Sequence, residues 1–131
     1  MKLISYGKHS IDQSDINAVS KALKKKVITS GDLVEKFEKS LSNYFKSNYS
    51  VVCNSGTSAL HLAFKAADLK KDDVVLMPSI NFISSYNLCS TLGAKIYLID
   101  VEPTTGQISY KSILECIKKY KIKKIKIIIT M

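Results

Sequence analysis

This sequence lacks arginine entirely, and all 20 of its basic residues are lysine. Arginine supplies the forked donors that read base edges and hold phosphates, so its absence weakens a nucleic-acid interpretation of the net charge of +9. Lysine runs such as residues 24–26 and 118–119 fall on predicted exposed helix faces. We therefore interpret the lysines as solvated surface and expect no nucleic-acid partner.

Long apolar runs and paired cysteines are also missing. No apolar stretch approaches the roughly 18 residues of a membrane span, and the start lacks a signal-peptide core, so we predict a cytoplasmic chain without a membrane span. Cys53, Cys89 and Cys116 have no C-x-x-C spacing, which indicates reduced, buried structural thiols and no metal site. The 131 residues, with 46% apolar and 24% charged side chains, fit one globular domain.

The hydrophobic spacing changes near residue 49. Before it, two amphipathic helices are predicted, at 12–26 and 34–45. After it, short β-branched runs typical of strands buried on both faces alternate with helical segments. The predicted strands are 49–53, 74–77, 96–99 and 125–129, and the predicted helices are 57–68, 82–92 and 109–120. This pattern predicts an α/β fold, with a helical arm (1–48) followed by a mainly parallel βαβαβαβ sheet (49–131).

Residues 54–58, Asn-Ser-Gly-Thr-Ser, place more small polar side chains between a predicted strand and helix than a turn needs. Amide groups at the start of a helix point outward, and the helix dipole favours an anion there. Gly56 allows a ligand to approach the backbone, and the hydroxyls of Ser55, Thr57 and Ser58 add donors. Each hydrogen bond to a charged group contributes about 1.5–3 kcal/mol, so the donors outweigh the dipole. The stretch is interpreted as a phosphate cradle or as a plain hydroxyl-capped turn.

Several motifs, in order along the chain, resemble the DegT/DnrJ/EryC1/StrS family of sugar aminotransferases. They are SYGK at 5–8, IDxxDI at 11–16, ITSG at 28–31, NSGTSALHLA at 54–63, MPSINF at 77–82, GA at 93–94 and IDVEPTTG at 99–106. The resemblance covers essentially the whole chain and is closest to the branch that aminates UDP-linked 4-keto-6-deoxy amino sugars. It implies the N-terminal part of the type I aminotransferase fold and the cofactor pyridoxal 5′-phosphate.

The resemblance also implies roles for particular residues. Ser55, Gly56 and Thr57 would bind the cofactor phosphate, and Phe82 would stack on the pyridine ring. The residues implied to contact the nucleotide sugar, partly across a homodimer interface, are Tyr6, Lys26, Val27, Ile28 and Thr29. The plain alternatives are that Phe82 packs at a helix start and that Tyr6 belongs to a loosely held N-terminal arm.

Two departures from the family bear on chemistry. Asn81 stands where the family usually has threonine before the aromatic residue. None of the 20 lysines has the family's Schiff-base context, and His61, on an apolar helix, is no substitute base. We therefore expect an N-terminal fragment, inactive alone, whose catalytic lysine and acidic partner follow Met131.

The function implied by the resemblance is amino transfer, with glutamate as donor, to the keto carbon of a nucleotide-linked 4-keto-6-deoxy sugar. Such a product would serve surface polysaccharide or glycan biosynthesis. One alternative is a dehydratase of the same family, in which histidine replaces the Schiff-base lysine. The others are a non-catalytic α/β domain for phosphate binding or protein interaction and a lysine-rich nucleic-acid binder.

Overall fold

The computed structural model describes residues 7–130, which divide into two compact units between Val52 and Cys53. The first unit contains α1 (Gln13–Leu23) and α2 (Asp32–Phe45). The second unit contains, in chain order, α3 (Gly56–Ala66), β1 (Val74–Pro78), α4 (Ser84–Thr91), β2 (Lys95–Ile99), α5 (Tyr110–Tyr120) and β3 (Ile127–Ile128). Within residues 7–130, no helix is long and apolar enough to cross a membrane.

Both helices of the first unit begin at residues suited to a helix start. Asp12 caps α1 by accepting hydrogen bonds from the amides of Ser14 and Asp15 at 2.7 and 3.1 Å. The Asp15 carboxylate accepts a 3.0 Å hydrogen bond from the Asp12 amide, which completes a capping box. Asp32 opens α2, and hydrogen bonds from Lys25 and then Lys36 hold the pKa of its carboxyl below the ordinary value. The two predicted leading helices are therefore confirmed.

The second unit is built on a three-stranded parallel sheet in the order β2-β1-β3. β1 pairs with β2 over all five of its residues. The pairing with β3 is shorter, and the amides of Lys126 and Ile129 extend it with 2.9 Å hydrogen bonds to carbonyls of β1. The chain passes from β2 on one side of β1 to β3 on the other. Open α/β sheets bind ligands beyond the carboxyl ends of strands where the order reverses in this way.

Helices contribute to the core on both faces of this sheet, because successive side chains of β1 point to opposite faces. On one face the buried core, with contributions from α3 and α4, is Phe64, Leu69, Val75, Met77 and Cys89. On the other face, with a contribution from α5, it is Leu76, Ile99 and Cys116. The α/β class with a parallel sheet, predicted from the sequence, is confirmed.

Three details of the predicted strands are wrong. Residues 49–53 form no strand, and Tyr49 and Val51 are 88% and 74% exposed. The Val52 amide donates instead to the Glu38 carboxylate at 2.9 Å. β2 is not buried on both faces, since Leu98 is 54% exposed. β3 is limited to Ile127–Ile128. Strand propensity is local, whereas pairing and burial need a neighbouring strand and a covering helix.

The cysteines are free thiols, but only two of them are buried. Cys89 and Cys116 lie in the two cores, and burial raises the pKa of each thiol. Cys53, which was also predicted to be buried, is only partly covered because it lies at the start of the second unit, outside both cores. Packing against the sheet therefore separates two inert thiols from one accessible thiol.

Candidate functional site

The polar stretch 54–58 forms the capped start of α3. The Ser55 hydroxyl accepts a hydrogen bond from the Ser58 amide at 3.1 Å. The Ser58 hydroxyl donates to the Asn54 side chain at 2.7 Å, so that proton is already in use. The first two amides of the helix, those of Gly56 and Thr57, have no partner within a helix and remain available to a ligand. The helix start therefore offers outward donors to an anion.

Gly56 is not required by the packing of the chain itself. A Cβ atom placed on this residue would meet no heavy atom within 4 Å. Its backbone is in the first turn of α3 and is not left-handed. Neither sterics nor backbone conformation within the described residues calls for glycine here, and the open space beside it is where a ligand would approach the backbone.

The loop between β1 and α4 forms another part of the site. It begins where β1 ends, and the Ser79 amide donates to the Ile99 carbonyl at 2.8 Å. The Phe82 amide donates to Oδ1 of Asn81 at 2.7 Å, which holds the backbone just before α4. The Phe82 ring is left 73% exposed. An exposed aromatic ring at this position offers a flat apolar face to a ligand.

Both helix starts line one cavity of about 510 Å³. Its walls are Ser55, Gly56, Thr57, Leu60, Asn81, Phe82, Ser84 and Ser85. α3 and α4 pack side by side, with Leu60 and Phe64 of α3 in the core, so their N-terminal ends lie together. The cavity is of the size that small-molecule ligands occupy. The four residues predicted to bind the cofactor therefore lie on one surface, and their binding role stays a prediction.

Sequence reasoning missed three polar residues of this cavity. Ser84 and Ser85 are 6% and 3% exposed and line its wall. The sequence marks Asn81 only as a departure from the family, whereas in the structure its Nδ2 atom is buried and has no hydrogen-bond partner among the described residues. The spacing of three and four residues from Asn81 to the serines would place them on one face of a helical turn, and this could have identified the group.

The residues predicted to contact a nucleotide sugar belong to the first unit. Tyr6 lies outside the described residues. The segment from Lys26 to Thr29 connects α1 and α2, with Val27 53% and Ile28 67% exposed. Val27 and Ile28 line a mainly apolar cavity of about 150 Å³ formed within that unit. Their contact with a sugar stays a prediction.

Comparisons with known proteins agree with this geometry. Residues 9–131 match the model of the DegT/DnrJ/EryC1/StrS aminotransferase family. A UDP-4-amino-4,6-dideoxy-N-acetyl-beta-L-altrosamine transaminase of Campylobacter jejuni is 40% identical over 111 residues, which are 85% of this chain and 29% of that protein. A GDP-4-keto-6-deoxy-D-mannose 3-dehydratase of Yersinia pseudotuberculosis is 27% identical over 100 residues, 72% of this chain and 25% of that protein.

The fold is also similar to a solved structure. A Streptococcus pneumoniae protein described as a sugar aminotransferase, in its PLP form, superposes with a TM-score of 0.77 and 25% identity. The match covers 86% of this chain and 29% of that one. The chain thus spans less than a third of the length of the relatives it matches.

Proposed function

Because this chain belongs to the DegT/DnrJ/EryC1/StrS aminotransferase family, we propose that it is the part of a sugar aminotransferase that holds pyridoxal 5′-phosphate. The whole protein would transfer an amino group, from glutamate, to the keto carbon of a nucleotide-linked 4-keto-6-deoxy sugar. The observation that carries the proposal is the shared cavity, which the start of α3 and Phe82 both line. A phosphate and a flat ring in one molecule fit that pair of features.

The residues present fit this cofactor. The cavity offers hydrogen-bond donors at the start of α3, space beside Gly56 and one buried donor, Nδ2 of Asn81, that has no partner among residues 7–130. Among residues 7–130, no carboxylate belongs to its walls. Donors without acidic neighbours favour an anion such as a phosphate.

Each element of the cavity has a distinct task in this proposal. The amides of Gly56 and Thr57 donate to phosphate oxygens, and the Ser55 hydroxyl, whose proton faces the Ser58 hydroxyl at 3.1 Å, would turn that proton to the phosphate. The Phe82 ring covers one face of the pyridine ring and excludes water from it. When bound, the cofactor supplies a carbonyl group that takes up the amino group and a ring that withdraws electrons.

Amino transfer is favoured over dehydration by the comparison of relatives. The transaminase is 40% identical to this chain, whereas the dehydratase is 27% identical. We further propose that Tyr6 and the segment 26–29 contact the nucleotide sugar and that the whole protein is a homodimer. The amino-transfer part is tested in the whole protein, where more than one equivalent of 2-oxoglutarate per site should form from glutamate only when a UDP-linked 4-keto-6-deoxy sugar is added and is aminated. Loss of the sugar hydroxyl in place of amination would contradict it.

Cofactor binding is tested on the 131-residue chain with pyridoxamine 5′-phosphate. This form of the cofactor has no aldehyde, so it cannot condense with any of the 20 lysines. We expect it to bind at least about tenfold more tightly than pyridoxamine, which lacks the phosphate, and to be displaced by inorganic phosphate. Calorimetric titration measures both affinities. Equal affinity for the two compounds would overturn the proposed cradle.

A further inference from the structure

We propose that Asn81 is a ligand-binding residue whose side-chain amide donates a hydrogen bond to an anionic oxygen of the cofactor. The proposal rests on the proposed function, because it takes the phosphorylated cofactor as the molecule in the cavity. It concerns a position at which this chain differs from the threonine usual in the family that it resembles.

The orientation of the Asn81 amide is determined by its neighbour. Oδ1 accepts a 2.7 Å hydrogen bond from the Phe82 amide. If the side-chain amide were flipped, its NH₂ group would face that N–H donor, so the assignment of nitrogen and oxygen is fixed. Nδ2 therefore points away from the Phe82 backbone, and its two hydrogens need acceptors elsewhere.

The Nδ2 atom is the one buried side-chain nitrogen or oxygen within residues 7–130 that has no hydrogen-bond partner. Buried donors without partners are rare in native proteins, because water is lost and nothing replaces it. Asn81 as a whole is only partly buried, and it lines the cavity together with the start of α3.

The other polar groups of the cavity show what kind of ligand would satisfy this donor. The cavity is also lined by Gly56 and Thr57, whose amides begin α3, and by Ser84 and Ser85. The serine hydroxyls can also accept a hydrogen bond, but an anionic ligand oxygen is the stronger acceptor for the Asn81 amide. Within residues 7–130 the Nδ2 donor has no acceptor, and such a ligand would supply one.

This assignment is tested with two readouts, melting temperature and affinity. Asn81→Leu keeps the branched shape but removes both the unsatisfied donor and the acceptor for the Phe82 amide. Because these two losses have opposite effects on stability, we expect the melting temperature without ligand to change by no more than a few degrees, while the affinity for pyridoxamine 5′-phosphate falls about tenfold. If Asn81 only holds the loop through Oδ1, melting temperature and affinity would fall together, and that result would overturn the proposal.

Three further variants separate the donor from other effects. Asn81→Asp keeps the acceptor for the Phe82 amide but replaces the donor with a carboxylate, so affinity should fall by more than tenfold. Asn87→Asp introduces the same charge at an exposed position of α4 and should bind like the unchanged chain. Equal losses in the two Asp variants would overturn the proposal.

Asn81→Thr, which supplies a hydroxyl donor, should recover most of the affinity lost in Asn81→Leu. An affinity as low as that of Asn81→Leu would also count against the proposal.

Failure of this proposal and failure of the proposed function give different results. If the unchanged chain does not prefer pyridoxamine 5′-phosphate to pyridoxamine, the cofactor assignment fails, and the assignment of Asn81 fails with it. If the unchanged chain shows that preference and Asn81→Leu binds equally well, only the assignment of Asn81 fails.

Discussion

The Ser55 hydroxyl accepts a hydrogen bond from the Ser58 amide at 3.1 Å, so the first residue of the predicted cradle is also the cap of α3. The same atom would therefore contribute to the stability of the helix and to ligand binding. A loss of binding on substitution of Ser55 is informative only when the loss of the cap is measured separately. The chain contains a matched site for that purpose, since Ser109 caps α5 with the same 3.1 Å distance to the Ser112 amide.

We predict that Ser55→Ala and Ser109→Ala destabilise the protein equally but differ in binding. Each removes one N-cap hydrogen bond, which costs about 1 kcal/mol of the free energy of unfolding. Only Ser55 lines the cavity, so only Ser55→Ala should weaken binding of pyridoxamine 5′-phosphate, by roughly tenfold. Urea denaturation and calorimetric titration measure the two quantities. Equal affinity in both variants would show that the Ser55 hydroxyl serves only as a cap.

Gly56→Ala is predicted to weaken binding without loss of stability. The new methyl group meets no heavy atom within 4 Å, and alanine favours helix over glycine by about 1 kcal/mol in a helix interior and by less in the first turn. The melting temperature should stay equal or rise, while the methyl group keeps a phosphate from the amides. A variant that binds pyridoxamine 5′-phosphate as the unchanged chain does would exclude close approach of the ligand to this backbone.

The helices and two of the strands could be predicted from the sequence because their causes are local. Asp12, Ser55 and Ser109 each precede an apolar stripe with helical spacing, and each caps a helix in the structure. The runs at 74–77 and 96–99 form β1 and β2, and each strand is one residue longer than predicted, at one end. Residues 49–53 have the same β-branched composition, yet they pair with none of the three described strands, and the Val52 amide donates to the Glu38 carboxylate instead.

The candidate site could be predicted only in part. Local chemistry indicated the donors at residues 55–57, and the resemblance to a family indicated Phe82. What placed them on one cavity is the packing of α3 against α4 through residues such as Phe64 and Cys89, which are distant in sequence. Whether the Asn81 amide has a hydrogen-bond partner depends on the three-dimensional surroundings of one atom. The spacing of residues along the sequence does not predict such surroundings.

Phe82→Ala is predicted to weaken cofactor binding with little change in stability. The ring is 73% exposed, so its removal should change the free energy of unfolding by less than about 0.5 kcal/mol. Stacking on the pyridine ring contributes about 0.5–1.5 kcal/mol, which corresponds to a loss of affinity of roughly two- to twelvefold. Both pyridoxamine 5′-phosphate and pyridoxamine should be affected, because the ring contact does not involve the phosphate.

The matched control for this substitution is Tyr110→Ala. Tyr110 is a 77% exposed aromatic residue at the start of α5 and does not line the cavity. Titration of both variants with both ligands distinguishes stacking from a general effect of losing a surface ring. Similar affinities in Phe82→Ala and Tyr110→Ala would mean that Phe82 does not touch the cofactor.

The three thiols should differ in their reaction with iodoacetamide. Cys53 is partly exposed and should be labelled first in the folded chain. Cys89 is fully buried and Cys116 is 8% exposed, and burial raises the pKa of both thiols, so little thiolate is present at pH 8. Peptide mass spectrometry after timed labelling measures the three rates. The chain unfolded in urea is the control, in which the three rates should become similar.

The raised pKa values of the buried thiols also set the sign of a pH effect on stability. A thiol with a raised pKa in the folded chain keeps its proton when the unfolded chain has already lost it. The stability contributed by Cys89 and Cys116 is therefore present below the ordinary thiol pKa of about 8.5 and is lost as the pH rises above it. Urea denaturation at pH 7 and pH 10 should show a smaller loss for the double variant Cys89→Ala, Cys116→Ala than for the unchanged chain. An equal loss in both would mean that other groups cause the alkaline destabilisation.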